Sequence, residues 1–449
     1  MSKKGTQQLT EINAGNITKC VITSTVSGKA FDMRAGVVEL NYYESVLSNT
    51  ITASLIIVDT GYSAGGTRQA AGGTRKSLVD GLPIRGGERV DLEFTDAGNP
   101  QNKISLPLYV NRLKATDSKT QRDVFILDLV TKEYLSNELT RVTKRYQGRI
   151  SENIKSILSD VLKTDNDIHA DATAIDYNFF GNDRKPFYVC TWLASKSTPQ
   201  TAGTSGSSVG GTAGFLFYQT NKGFNFKSLD GLLSQTPDKK FVYTGTPMAG
   251  KDKRNILTYN IDRNIELQSN LSVGVYNNRT IFYDPVAFNY VVVNFNLSKQ
   301  QDKISTAGVN FSAELVDKAF TSGPSRLMSN VMDVGYNPTG ATPEEQLQNW
   351  KSQPRQSNFD APRTMVQSVM RYNQVFTIQT NITIGGDFSL SAGDMINCTF
   401  KQTEGESRDE INKQTEGNYL IAHLCHRITP EKTFTSLGLV RDSYGKPEA

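Results

Sequence analysis

Two distant stretches of the chain spell one pattern. Gly87-Glu88-Arg89-Val90-Asp91-Leu92-Glu93-Phe94 and Gly393-Asp394-Met395-Ile396-Asn397-Cys398-Thr399-Phe400 both fit G-[ED]-x-[VI]-[DN]-x-x-F. Each reads as a turn followed by a half-buried strand, because apolar residues fall at every second position. Downstream, Asn111-Arg112-Leu113 is matched by His426-Arg427-Ile428. Beyond that, Leu127-Asp128-Leu129-Val130-Thr131-Lys132-Glu133-Tyr134 is matched by Leu437-Gly438-Leu439-Val440-Arg441-Asp442-Ser443-Tyr444. Three blocks in one order, at comparable separations, are accounted for by duplication of a β-domain. The repeat core is then Gly87, Val90, Phe94, Leu127, Val130 and Tyr134 in the first copy. In the second it is Gly393, Ile396, Phe400, Leu437, Val440 and Tyr444.

The second copy starts early and is interrupted. Asn255-Ile256-Leu257-Thr258-Tyr259-Asn260-Ile261 supplies the strand that Val38-Glu39-Leu40-Asn41-Tyr42 supplies in the first. The expected division is a first β-domain over 16–145 and a middle α+β domain over 146–250 and 265–361. A second β-domain takes 252–264 and 362–445. The fold class is mainly β, with an α+β middle domain and a discontinuous second β-domain.

Local patterns agree with this layout. From Thr18 to about Leu139 the chain reads as β, with Glu39–Tyr43, Thr50–Val58 and Arg89–Phe94 as strands. Residues 61–73, rich in Gly, Thr and Ala, read as a mobile loop. Ile150, Ile154, Ile157, Leu158, Val161 and Leu162 recur at helical spacing, and a second helix follows Pro186. Residues 197–214 are low in complexity and read as a flexible excursion. Asn221-Lys222-Gly223, between two aromatic runs, signals a hairpin. Residues 255–295 read as strands and turns, and 300–360 as polar and helix-inclined. Thr342-Pro343-Glu344-Glu345 combines an N-cap with a proline at N1 and a glutamate at N3, a helix start. A helix near 363–372 precedes a final β region over 374–442.

Chemistry-bearing motifs are few. Thr244-Gly245-Thr246-Pro247-Met248-Ala249-Gly250-Lys251-Asp252 follows an apolar run and fits G-x-x-x-x-G-K-[ST] except at the last position. Asp252 replaces the hydroxyl that would ligate Mg²⁺, and the continuation from Asn255 alternates like a strand. A phosphate cradle needs a helix there, so no nucleotide is expected. His423 and Cys425 fall on one face of an alternating strand and His426 on the other, a poor metal set. No catalytic residue, cofactor or metal is assigned. The balance of 49 basic against 45 acidic residues, net +4, lacks the basic run of a dedicated nucleic-acid binder. Met1 to Gln8 is polar, without the apolar core of a secretory signal, and no run reaches membrane-spanning length.

With the duplication in hand, the sequence resembles the baseplate hub proteins of contractile-tailed bacteriophages. Four places carry the likeness. Gly148-Arg149-Ile150-Ser151-Glu152-Asn153-Ile154 opens the helix after the first β-domain. Gly223-Phe224-Asn225-Phe226-Lys227-Ser228-Leu229-Asp230 is similar to the family's aromatic hairpin. Asn270 to Arg279, with Tyr283-Asp284, resembles a segment of the middle domain. Gly417-Asn418-Tyr419-Leu420-Ile421 through His426, then Leu439-Val440-Arg441-Asp442, resembles the C-terminal barrel.

The resemblance implies tube-like β-barrels, a homotrimer presenting six similar units, and a structural rather than enzymatic role. It implies an adaptor between a hexameric tail tube protein and a trimeric spike protein. Inner baseplate wedge proteins are further partners, a tape-measure protein occupies the lumen, DNA is met only in passage, and no stable membrane binding is expected. The place implied is the virion tail baseplate, assembled in the bacterial host cytoplasm. Two other readings stay open: the hub of a non-phage contractile injection system, and a carbohydrate-binding tail protein using tyrosines, Trp192 and Trp350.

Overall fold

The Gly-acid turn of the repeat makes the same hydrogen bonds twice. In a computed structural model, the Gly87 N–H donates to the Val110 carbonyl (2.7 Å) and the Val110 N–H returns to the Glu88 carbonyl (2.9 Å). In the second copy the Gly393 N–H donates to the Ile421 carbonyl (2.8 Å) and the Ile421 N–H to the Asp394 carbonyl (3.0 Å). The acid folds back in both: Glu88 accepts from the Arg85 N–H (2.7 Å) and Asp394 from the Ser391 N–H (2.8 Å). Both glycines have left-handed φ, +85° and +91°, which residues with a Cβ adopt only under strain. The structure describes residues 15–445 apart from position 27 and the segments 60–83, 97–100, 120–121, 201–210, 244–253, 264–265, 286–287, 300–303, 309, 312–316, 334–341, 346–347, 349–357, 359–360 and 401–414. The 61–73 loop, the P-loop-like Thr244–Asp252 and Trp350 lie outside the described residues.

The first copy contains β1 (Asn16–Thr23), β2 (Ala30–Asp32), β3 (Val37–Ser45), β4 (Thr52–Asp59), β5 (Arg89–Thr95), β6 (Lys103–Lys119) and β7 (Arg122–Val130). They form an antiparallel sheet in the order β2-β1-β5-β6-β7-β4-β3. Next come α1 (Lys132–Leu139), β8 (Arg145–Tyr146), α2 (Ile150–Ser156, continuing as a π turn over Ile157–Val161), β9 (Ile168–Ala170), β10 (Phe179–Phe180), α3 (Pro186–Ala194), β11 (Phe215–Thr220), β12 (Gly223–Ser228) and α4 (Leu229–Leu233). Ile150, Ile154, Ile157 and Leu158 are fully buried against Phe187, Cys190, Leu193 and the aromatic hairpin β11–β12. That is the apolar face the helical spacing predicts.

The second copy opens with β13 (Lys239–Val242) and β14 (Arg254–Arg263). An insertion follows: α5 (Leu267–Val273), β15 (Asn277–Asp284), β16 (Asn289–Asn296), β17 (Asn310–Phe311), α6 (Lys318–Thr321) and β18 (Arg326–Val331). Then α7 (Ala361–Val375) leads to β19 (Ile378–Gly385), β20 (Met395–Thr399), β21 (Gly417–Ile428), β22 (Thr433–Arg441) and β23 (Ser443–Tyr444). The order β21-β20-β13-β14-β19-β22, with β22 pairing back on β21, closes a six-stranded barrel. The molecule therefore has two β-domains in one chain, the second discontinuous.

Register makes the equivalence quantitative. Leu113 stands opposite Leu127, and Leu424 opposite Leu437. Val90 stands opposite Leu108, and Ile396 opposite Tyr419. Bulges recur at the same points: β3 slips between Val37 and Glu39 as β14 does between Ile256 and Thr258, and β6 slips between Val110 and Arg112 as β21 does between Ile421 and His423. Bulges re-aim a strand and are seldom placed by accident.

Four sequence expectations are corrected. The structural partner of Asn111-Arg112-Leu113 is Ala422-His423-Leu424, four residues before the matched His426-Arg427-Ile428. Thr131 adopts an extended N-cap conformation and β7 gives way to α1, so Tyr134 sits on a helix at 38% exposure while Tyr444 is in strand β23 at 9%. The third block thus matches over Leu127–Val130 and Leu437–Val440 and then diverges. Finally, Lys239–Val242, assigned by sequence to the middle domain, pair in parallel with β14 and β20 inside the second barrel. Within 300–360, β18 is a strand, whereas the Glu345 N–H does donate to Thr342 Oγ1 (3.2 Å) over a helical Pro343–Glu345.

The two turn glycines differ in their surroundings. A Cβ at Gly87 meets nothing within 4 Å, whereas one at Gly393 runs into the buried Tyr218 ring. Gly87→Ala is expected to lower unfolding free energy by about 1 kcal/mol and Gly393→Ala by about 2–3 kcal/mol, measured by urea denaturation.

Candidate assembly interface

The two β-domains are joined edge to edge. Strand β3 of the first pairs antiparallel with the second half of β21, from Leu40 opposite Ile428 to Ser45 opposite His423. The first half of β21 pairs with β20 instead, so one long strand serves both its own barrel and the neighbour. Four rings pack beneath the seam. Phe94 meets Tyr42 (5.6 Å between centroids) and Phe388 (5.1 Å), while His426 stacks on Tyr42 (5.9 Å) and meets Phe388 edge-on (4.8 Å). Phe400 instead packs on Tyr259 (5.1 Å) within its own copy. Phe94 and Phe400 belong to one continuous hydrophobic core.

Glu44 ties three regions at the seam. Its carboxylate accepts from Tyr42 Oη (2.6 Å) in the first copy, the Asn221 N–H (2.7 Å) in the aromatic hairpin turn, and the Ala392 N–H (3.0 Å) ahead of β20. Burial pushes its pKa above the ordinary carboxylate value. A second tie anchors the middle region to the second barrel. Arg371 of α7, with no exposed surface, donates to Asp230 (2.8 Å) of α4, Asp442 (3.2 Å) after β22, and the Ser305 carbonyl (2.8 Å). Asp442 also accepts from the Ala307 N–H (3.0 Å) and Asp230 from Thr212 Oγ1 (2.8 Å). A buried cation needs this many acceptors to offset its desolvation.

From the seam outward, eight strands run in unbroken antiparallel order: β6-β7-β4-β3-β21-β22-β19-β14. Both ends are open among the described residues. Beyond Val110, β6 pairs with β7 alone, and beyond Asn255, β14 pairs with β19 alone. The outer face of this sheet is polar, with Thr258, Asn260, Asn381, His423 and Ser436 exposed. They help line a concavity of about 600 Å³. Its charges are partly matched across strands: Arg112 with Asp128 (2.6 Å) and Arg427 with Glu39 (2.8 Å).

The remaining sequence candidates sit apart from any reactive arrangement. His423 and Cys425 point to the outer face and His426 into the core, where Thr435 Oγ1 meets its Nδ1 (2.9 Å). Burial raises the Cys425 thiol to about 11. Among the described residues no group of three metal-ligating side chains converges, and no helix is long and apolar enough to cross a membrane. Trp192 packs edge-on against Tyr177 and Phe179 with the Lys196 ammonium over its ring, rather than standing clear as a sugar platform. Of the repeat positions, Val90, Phe94, Leu127, Ile396, Phe400 and Leu437 are buried at 0–1% exposure, with Val130 and Val440 nearly so. Glu44 and Arg371 escape sequence reading, because lone charged residues at those places look like any solvated side chain.

Burial holds the His426 pKa down to about 3, below its ordinary 6.5. The neutral imidazole's contribution is present above pH 6.5 and lost as pH falls toward 3. Relative to neutral pH, the parent is expected to lose about 2–3 kcal/mol at pH 4.5 from this group. His426→Phe, which keeps the ring and takes no proton, should show a smaller acid-induced drop in Tm. Glu44, with its raised pKa, acts in the opposite sense, so the comparison is between variant and parent at each pH. Separately, Glu44→Ala leaves the Asn221 and Ala392 amides without their acceptor and should cost about 3 kcal/mol in chemical denaturation.

No family model and no curated protein matches the sequence. Solved structures do match in fold. The chain superimposes on the tail protein from Neisseria meningitidis MC58 with a TM-score of 0.52 at 9% identity, covering 96% of this chain and 99% of that one. The 43 kDa tail protein of prophage MuSo2 from Shewanella oneidensis aligns with a TM-score of 0.47 at 9% identity, over 94% and 98%. The E. coli c3393 protein, a component of the type VI secretion system, aligns at 0.40 and 9% identity, over 97% and 79%. The chain has the fold of the Neisseria meningitidis tail protein, and its structural neighbours are phage tail and baseplate proteins together with type VI secretion proteins.

Proposed function

We propose that the chain is a structural, non-enzymatic baseplate hub. Three copies form a ring of six similar β-units that adapts a hexameric tail tube protein to a trimeric spike protein. The observation that carries this reading is the side-by-side placement of two register-matched β-units in one chain. Three such chains match six-fold symmetry on one face and three-fold symmetry on the other, and a closed ring reuses one interface around its axis. The polar face of the eight-stranded sheet then lines the lumen through which a tape-measure protein and later DNA pass. Its cross-strand Arg–Asp and Arg–Glu pairs suit passage, since a lumen of unmatched cations would hold the phosphate backbone.

The insertion supports the assembly reading independently. Ile281, Tyr283, Tyr290, Val292, Leu327 and Val331 are exposed on its sheet, a cluster of the kind that marks an interaction surface. This face suits inner wedge proteins of the baseplate. The virion tail is the corresponding location, with assembly in the host cytoplasm. Light scattering of the purified protein, alone and with its cognate spike, is expected to give three chains per particle, and axial images six lobes. A persistent monomer under both conditions would reject the hub.

A further inference from the structure

The sheet of the insertion has one unguarded edge. Its order is β16-β15-β18, and among the described residues β16 pairs with β15 only, in continuous register from Asn296 opposite Asn277 to Asn289 opposite Asp284. The Tyr290 N–H donates to Asn289 Oδ1 (2.7 Å), which leaves 291–296 as the run with main-chain groups turned away from β15. Natural edges of this kind carry a charge, a proline or a bulge. The other open edges here carry charge: Lys114 and Asp117 on β6, Asp262 and Arg263 on β14, Arg326 on β18. β16 has none of the three devices.

Exposure shows on which side the insertion is incomplete. Val291 stands opposite Phe282 and Val293 opposite Thr280, on the face that shares a core with Val366 and Met370 of α7. Phe282 is 2% exposed, yet Val291 beside it is 44% exposed. The core therefore stops sideways, where one more strand would lie. Resting on the hub reading, we propose that this edge receives an extended segment of a different baseplate protein, added as a fourth strand of the sheet. Open backbone groups specify an extended chain rather than a helix. The side chains of β16 specify its character: uncharged and β-branched or aromatic at successive positions. Those beside Val291 and Val293 enter the core, and those beside Tyr290 and Val292 widen the apolar face. A charge there would be buried without a partner. A second copy of this chain is disfavoured, because β16 against β16 is a two-fold contact that closes as a pair, whereas the ring is three-fold.

Hydrogen exchange read by mass spectrometry, on the isolated full-length protein and on purified tails that contain it, tests the pairing. Amides of 291–296 that point away from β15 are expected to exchange freely in the isolated protein and about 100-fold more slowly in tails. Val291→Lys, which puts a guard on the edge, should lower incorporation into tails about tenfold and leave the oligomeric state of the isolated protein unchanged. The uncharged Val291→Thr should incorporate normally. A photoreactive benzoylphenylalanine in place of Val292 should crosslink, in tails, to a peptide of another tail protein. Protection already present in the isolated protein, free exchange in tails, or a crosslink to a second copy of this chain each overturns the added strand and leaves the hub standing. A chain absent from tails overturns both.

Discussion

One unfilled hydrogen-bonding edge governs this molecule. A sheet such as the first β-domain ends in a strand whose N–H and C=O groups have no partner, and β3 is that strand. Its groups are taken up by β21, a strand of the other copy. Everything around the seam secures this one pairing: four rings packed beneath it, Glu44 drawing the hairpin turn and the approach to β20 together, and Arg371 holding the middle region onto the second barrel.

The two β-units share registers and bulges, yet the seam makes them unequal. Phe94 faces across to the other copy, where Phe388 and His426 await it, while Phe400 packs on a tyrosine of its own. β1 joins its sheet antiparallel, yet β13, in the corresponding place beside β20, runs parallel. That reversal lets β13 bridge β20 and β14 and close the second barrel, whereas among the described residues the first remains open.

Much of this was legible in the residues. The Gly-acid turn and the alternating strand to Phe94 or Phe400 announced themselves because each position has a local cause: positive φ, a carboxylate folding back on the backbone, a ring in the core. The helices over Ile150–Val161 and Pro186–Ala194 were likewise readable from period and proline. The middle block misled because His426-Arg427 echoes Asn111-Arg112 in letters, while the bulge that fixes register leaves no letter of its own. Tyr134 misled because the strand pattern of Leu127–Val130 carried the eye through Thr131, where a cap starts a helix. Glu44 and Arg371 were invisible because their partners lie far off in sequence: Ala392 is 348 positions from Glu44, and Asp230 is 141 from Arg371.

The seam also has a history in time. Its two strands are separated by most of the chain, with Arg427 bonding Glu39 across 388 positions. At a synthesis rate of about 5–20 residues per second, β3 emerges roughly 20–80 s before β21 exists. During that interval the finished first half carries a bare, pairing-competent border on the ribosome. Tyr43 and Glu39 on it are polar-tipped, and neighbouring nascent chains offer the same border, so crowded translation is when this protein is most exposed to joining the wrong copy of itself.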